Sequence, residues 1–211
     1  MPRQVDYESR RRRIAEAVCL LADEHGPEGV SMRDVAARAQ VSLGAVQRCF
    51  RNKEEMLLFA VDHVGERITE RVRTRLASSP DRSAATALGH AADEIALLRE
   101  EQRAEARIWL AFVARAAVSE VLGGPLRTSY AALQDLFVRL VTEATGSDSA
   151  DEGAAPPDPR REARALLALA DGLTTHVLVG HLTGEEAEEV LHAHLADLWE
   201  RIRTARPREA G

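Results

Sequence analysis

Apolar residues recur along almost the whole chain at intervals of three and four, the period of a helix with one buried face, and nowhere alternate as a half-buried strand would. The first expected helix covers residues 9–25, carries Ile14, Ala17, Val18 and Leu21 on one face, and stops at Gly26-Pro27. A second opens after Ser31, whose hydroxyl can cap it, with Asp34 completing a capping-box-like pair, and turns Val35, Ala36 and Ala39 inward. Ser42 caps a short third helix through Leu43, Val46 and Phe50. Asn52 caps a fourth, with Glu55 at its third position and a long stripe of Leu57, Ala60, Val61, Val64, Ile68 and Val72. Ser78-Ser79-Pro80 ends it.

Further helices are expected at 82–101, 103–121 and 124–145, the last with a seam of Leu126, Tyr130, Leu133, Phe137 and Leu140. Residues 146–158 read as a polar, mobile loop. Asp158-Pro159 then starts a helix that runs to about residue 180, and Thr183 with Glu186 forms a capping box for a final helix reaching Ile202. The fold class is therefore all-α, about nine helices: a three-helix N-terminal domain (1–54) and a larger helical domain (55–211).

Composition narrows the function. No apolar run is long enough to span a membrane, and the N-terminus lacks the apolar stretch of a secretion signal, so a cytoplasmic protein with no membrane partner is expected. Cys19 and Cys49 are too few and too far apart for a disulfide framework and read as reduced thiols. The net charge of −6 at first argues against nucleic acid. Its distribution does not: residues 1–57 hold ten basic and nine acidic residues, and the remainder 18 basic and 25 acidic. A near-neutral head with clustered arginines on an acidic body suits an orientated DNA contact. No nucleophile–base pair, metal motif or phosphate loop is present, so neither an enzyme nor a cofactor is expected. His192 and His194 lie about 200° apart on a helix, and His176 and His181 are five residues apart; neither spacing suits one metal ion.

The candidate chemistry lies in residues 31–53, two short helices joined by a tight turn and followed by the start of a third helix, where Lys53, the chain's only lysine, stands. A helix-turn-helix lays its second helix in the DNA major groove. Small Ala36 and Ala39 allow the two helices to cross closely, while Val41, Val46 and Phe50 pin the second of them to a small core. Gly44 faces outward, where a missing side chain permits close approach to DNA, and Leu43, Ala45, Gln47 and Arg48 are expected to be exposed. Leu43 or Ala45 can meet a thymine methyl, Gln47 can read adenine, and Arg48 can read guanine or hold a phosphate. Helix-start amides at Ser42 and Lys53 add anion sites. Arg10, Arg11, Arg12 and Arg13 serve equally as phosphate grips or as a solvated arm.

Residues 10–60 resemble the DNA-binding domain of TetR-family regulators, through Ile14, Ala17, Gly26, Val35-Ala36, Ala39, Val41-Ser42, Gly44, Val46, Phe50, Lys53-Glu54 and Met56-Leu57. The resemblance implies that Arg33 reaches a base and that Ser31, Ser42 and Lys53 hold phosphates. The chain departs from the family in having Gln47 where Tyr is usual, Cys49 in place of His or Tyr, and Gln40 in place of the turn glycine. If Gln40 is left-handed, its side chain costs on the order of 1 kcal/mol. Gln47 with Phe50 and Lys53 resembles a subgroup whose C-terminal domain is of the choline-regulator type.

The same resemblance implies a ligand pocket among helices four to eight, with Trp109, Phe112, Tyr130, Gln134, Phe137, Thr175 and His176 as its aromatic and polar candidates. Glu101, Glu105 and Asp171 would favour a cationic ligand if they point inward. It also implies a homodimer through the last two helices, with Ala163, Leu167, Ala170, Thr174, Val177 and His181 on one face and Leu191, Leu195, Leu198 and Ile202 on the other. The function expected is a repressor that binds a pseudo-palindromic operator in double-stranded DNA and is released by a small hydrophobic or amphipathic effector. The alternatives are a ligand-independent or activating regulator, or a helical small-molecule-binding protein without DNA binding.

Overall fold

The structure, a computed structural model, describes residues 2–26, 29–145 and 157–205, with side chains from residue 7 onward. The polar loop expected at 146–158 falls, but for its last two residues, outside the described residues. Among the described residues there are nine α-helices and no strand: α1 (Pro2–His25), α2 (Met32–Arg38), α3 (Leu43–Cys49), α4 (Lys53–Ser78), α5 (Ala84–Ile95), α6 (Arg103–Ala116), α7 (Glu120–Thr145), α8 (Pro159–Leu178) and α9 (Gly184–Ala205). A short 3₁₀ turn, Glu100–Gln102, precedes α6. Two compact units form, one from residues 1–67 and 99–126 and the other from 68–98 and 127–211.

The first unit is built around α1, whose Ile14, Ala15, Val18 and Ala22 are wholly buried. α1 packs on α2 and α6, and α2 on α3. The inner stripe of α4 in this unit is Met56, Leu57, Ala60, His63 and Val64. Two ion pairs join α6 to its neighbours: buried Glu105 accepts Arg67 Nε at 2.9 Å, and Arg107 meets Asp23 at 3.1 Å.

The second unit has one continuous core, centred on Leu88, Phe137, Val141, Leu166, Leu191 and Leu198. Burying a carboxylate is costly unless it is paired. Glu94, 1% exposed, accepts Arg71 Nε at 2.5 Å and Arg75 Nη1 at 3.2 Å. Arg75 also reaches Asp93, which in turn meets His192 Nε2 at 2.9 Å, so the distal part of α4 is tied to α5 and α9. Glu162 on α8 takes a two-bond fork from Arg201 on α9, at 2.8 and 3.0 Å.

Four element boundaries differ clearly from expectation. α1 begins at Pro2 instead of at residue 9. α5 stops at Ile95 instead of running to 101, because Leu97 turns left-handed (φ 49°) to bury itself and Leu98. α6 ends at Ala116, and α7 starts at Glu120, so that Pro125 lies inside it. Proline removes one helical hydrogen bond. The turn before it still closes, with Gly123 N donating to Ser119 O at 2.8 Å.

The faces expected to meet a partner are also corrected. Ala163, Leu167, Ala170 and Thr174, like Leu191, Leu195, Leu198 and Ile202, are buried in the chain's own core. Thr174 even spends its hydroxyl on Ala96 O, at 2.7 Å.

Candidate nucleic-acid interface

α2 and α3 are each too short to persist alone, so their ends must be satisfied locally and their inner faces by packing. Ser31 Oγ accepts the Asp34 amide at 3.2 Å and donates to the Asp34 carboxylate at 2.5 Å. Ser42 Oγ accepts the Ala45 amide at 3.1 Å. Asn52 Oδ1 accepts the Glu55 amide at 2.8 Å, and Glu55 returns to the Arg51 amide at 2.8 Å, fixing the start of α4 at Lys53. The turn between α2 and α3 requires a left-handed residue, and Gln40 takes it at φ 54°. The end of α2 is held to α1 by a fork from Arg38 to Glu24, at 2.9 and 2.5 Å.

These caps present one surface. Arg33, Gln47 and Arg48 are exposed, as are Ser31 and Ser42, while Leu43, Gly44 and Lys53 are half-buried. A Cβ built on Gly44 would meet only the Arg48 guanidinium, at an ordinary 3.6 Å, so nothing inside the protein demands glycine there. Ala45 corrects the expectation of an exposed residue. It is 7% exposed, on the same inner face as Cys49 one turn later, and cannot reach a base. Both cysteines are free and buried. Burial, with Glu105 nearby, pushes the Cys19 thiol up to about 12; burial also raises Cys49, against the pull of Arg10, Arg11 and Arg48.

The seven ligand candidates divide between the two units. Trp109 and Phe112 belong to the first unit, where Phe112 packs with Ala116 and Leu122. The remaining five belong to the second. There Phe137 is wholly buried core, which removes it as a ligand wall. Tyr130 and Gln134 do share a groove of about 470 Å³ between α7 and α8, with Arg127, Arg164, Leu167 and Asp171. In it Tyr130 donates to the Asp171 carboxylate, and Arg164 Nε to Gln134 Oε1 at 3.3 Å. Burial and the Asp171 charge both hold the Tyr130 hydroxyl protonated well above its ordinary range. Thr175 turns back to Asp171 O.

His176 is exposed and meets His181 with the rings tilted by 58° and their centres 4.9 Å apart, because α8 ends at Leu178 and left-handed Gly180 folds the chain back. Two residues five apart in sequence are thus neighbours in space. Among the described residues no three His, Cys, Asp or Glu side chains converge as a metal ion needs, and no helix is long and apolar enough to cross a membrane.

Residues 14–60 match the model for bacterial regulatory proteins of the tetR family, and residues 84–200 match that for the C-terminal part of BetI-type transcriptional repressors. The chain belongs to the TetR family. The HTH-type transcriptional regulator PksA of Bacillus subtilis is 32% identical to it over 181 residues, 85% of this chain and 83% of PksA. A transcriptional regulator from Rhodococcus sp. RHA1 superposes with a TM-score of 0.74 at 28% identity, covering 90% of this chain and 96% of its own. A regulator from Saccharomonospora viridis, solved with choline, has the same TM-score and coverage at 20% identity, which speaks for a common fold alone.

As a TetR-family member the protein is a transcriptional regulator with an N-terminal DNA-binding domain. Sequence reasoning missed the buried, titratable residues of the helices. Glu94, Glu162 and His63 sit where the helical period asks for apolar side chains, and polar residues at core positions were the available signal.

Proposed function

We propose that the protein is a ligand-responsive repressor that binds a pseudo-palindromic operator as a homodimer. Residues 1–54 read DNA, and residues 55–211 bind the effector and dimerise. The observation that carries this reading is the doubly capped α3, which turns Gln47 and Arg48 outward beside Gly44 while Ala45, Val46 and Cys49 anchor it from behind. Gln47 and Arg48 supply hydrogen-bonding forks that match base edges, and Arg33, Ser31, Ser42 and Lys53 stand where helix starts meet phosphate.

The dimer uses the last two helices through their outward faces, where Ala168, Val179, Val190 and Ala193 are exposed. Two copies then place their α3 helices in successive major grooves. The effector is a small hydrophobic or amphipathic molecule, and it needs to favour the released state by only a few kcal/mol. Choline bound to the Saccharomonospora regulator makes a quaternary ammonium one class to try. The acids available here do not favour it: Glu105 is paired with Arg67, Asp171 holds Tyr130, and Glu101 is exposed.

Footprinting on the intergenic DNA beside the protein's own gene tests the reading. A protected, two-fold-related site, weakened by Arg48→Ala and released by a titrated effector, is the expected result. Equal indifference of wild type and Arg48→Ala to that DNA and to neighbouring intergenic DNA would sink it. Protection that no compound relieves would leave a regulator but remove the effector.

A further inference from the structure

The arginine run at 10–13 has two uses in a DNA-binding protein, phosphate grip or solvated arm, and Arg11 fits neither. Its guanidinium carbon lies 4.1 Å from the centre of the Phe59 ring, 5.2 Å from that of Phe50 and 5.8 Å from that of Tyr7. Phe50 is the residue that closes α3, and Phe59 stands in the second turn of α4; their rings are 5.4 Å apart and tilted by 47°. Phe50 is 1% exposed, and Arg11 Nε is buried without a hydrogen-bond partner. By contrast Arg12 and Arg13 are exposed.

A guanidinium gives up water at a nitrogen only against compensation, and here the compensation is aromatic faces, with the charge of Asp62 on α4 nearby. The flat, delocalised group suits this role better than a hydrated ammonium. The stack also joins three elements at one point: the third turn of α1, the end of α3 and the body of α4. A helix of seven residues has no stiffness of its own to spare, so its orientation depends on what grips its ends.

We propose that Arg11 is a positioning residue for DNA recognition: stacked on Phe50 and Phe59, it fixes the angle at which α3 is presented, and it makes no phosphate contact. The proposal rests on the DNA-binding reading above. Base contacts by Gln47 and Arg48 depend on direction, whereas attraction to phosphate does not, so loosening this joint removes discrimination before it removes affinity.

The test compares full-length wild type, Arg11→Met, Arg11→Lys and the exposed neighbour Arg12→Ala. Hydrogen exchange is followed at the amides of residues 43–50. Affinity is measured for a duplex from the intergenic region beside the gene and for an unrelated duplex of equal length, across a salt series and well below the melting temperature. Arg11→Met is expected to speed exchange in α3 and to lower the ratio of the two affinities roughly tenfold, with the salt slope unchanged. Arg11→Lys, which keeps the cation but not the flat stack, falls between Arg11→Met and wild type.

A salt slope reduced by about one contact, with α3 exchange unaltered, would make Arg11 a phosphate ligand and overturn the proposal. So would a lower melting temperature with exchange and affinity ratio both at wild-type values, since Arg11 would then be packing only. If wild type itself prefers neither duplex, the DNA-binding reading is what fails. The exchange of residues 43–50 still decides the role of Arg11, unaltered exchange counting against it.

Discussion

His63 occupies an apolar position of α4, 7% exposed, with both ring nitrogens buried and without a hydrogen bond, the nearest carboxylate being Glu66 at 3.9 Å from Nδ1. Burial holds its pKa below the ordinary 6.5, with Arg67 acting in the same direction and Glu16, Glu66 and Glu105 opposing. The unfolded chain therefore takes up this proton at a higher pH than the folded one. Stability is complete above about pH 6.5 and falls as the pH drops from there toward the lower folded value. Melting temperatures between pH 7.5 and 5.5 should decline for wild type and decline less for His63→Leu; parallel curves would dismiss the account. Gly44 gives a second single-residue prediction. Gly44→Ala has room and should leave stability unchanged or raise it by up to about 1 kcal/mol, while weakening operator binding in a gel shift. The sequence put both Gly44, which is half-buried, and Ala45, which is buried, on the open surface. The spacing of four between Ala45 and Cys49 marks a shared face, and in a seven-residue helix that face was the core.

At the level of elements, the helix starts were the legible part, because Ser31, Ser42, Asn52, Asp158 and Thr183 act through bonds to residues two or three places on. The ends of α5 and α6 were not legible. No glycine or proline marks Leu97, and its left-handed turn is imposed by the burial of Leu97 and Leu98. That turn has a partner in Gly184 at the start of α9, where an added Cβ would lie 2.7 Å from the Leu98 carbonyl oxygen. Backbone cannot retreat as a flexible side chain can. Gly184→Ala should therefore cost about 1–3 kcal/mol in chemical denaturation, although alanine is the better helix former. An undiminished stability would mean that the 95–98 turn yields freely.

For the whole molecule, the DNA-binding domain was legible in residues 10–60, and the family model matches residues 14–60. The side of α8 and α9 that another copy would meet was not legible, because an amphipathic stripe looks the same whether it meets its own core or another copy. With Leu191, Leu195, Leu198 and Ile202 spent internally, the exposed Val179 (70%) and Val190 (44%) become the residues to test. Val190→Asp combined with Val179→Asp should shift sedimentation toward the monomer while helical content persists, whereas Leu198→Asp should abolish folding. A dimer unmoved by the double variant would place the interface elsewhere. The pocket candidates are ambiguous for a related reason: an aromatic residue on a helical stripe gives no sign of whether it lines a void or fills one, and Phe137 is wholly buried in the core.

The alternation within α3 has a practical outcome. Its structural residues, Ala45, Val46, Cys49 and Phe50, all point inward, and its outward set is Leu43, Gly44, Gln47 and Arg48. On the proposed reading of α3, those four positions form an exchangeable cassette. Transplanting the corresponding residues of another regulator should rewrite the operator that this scaffold chooses, while its folding, its assembly and whatever it senses stay as they are.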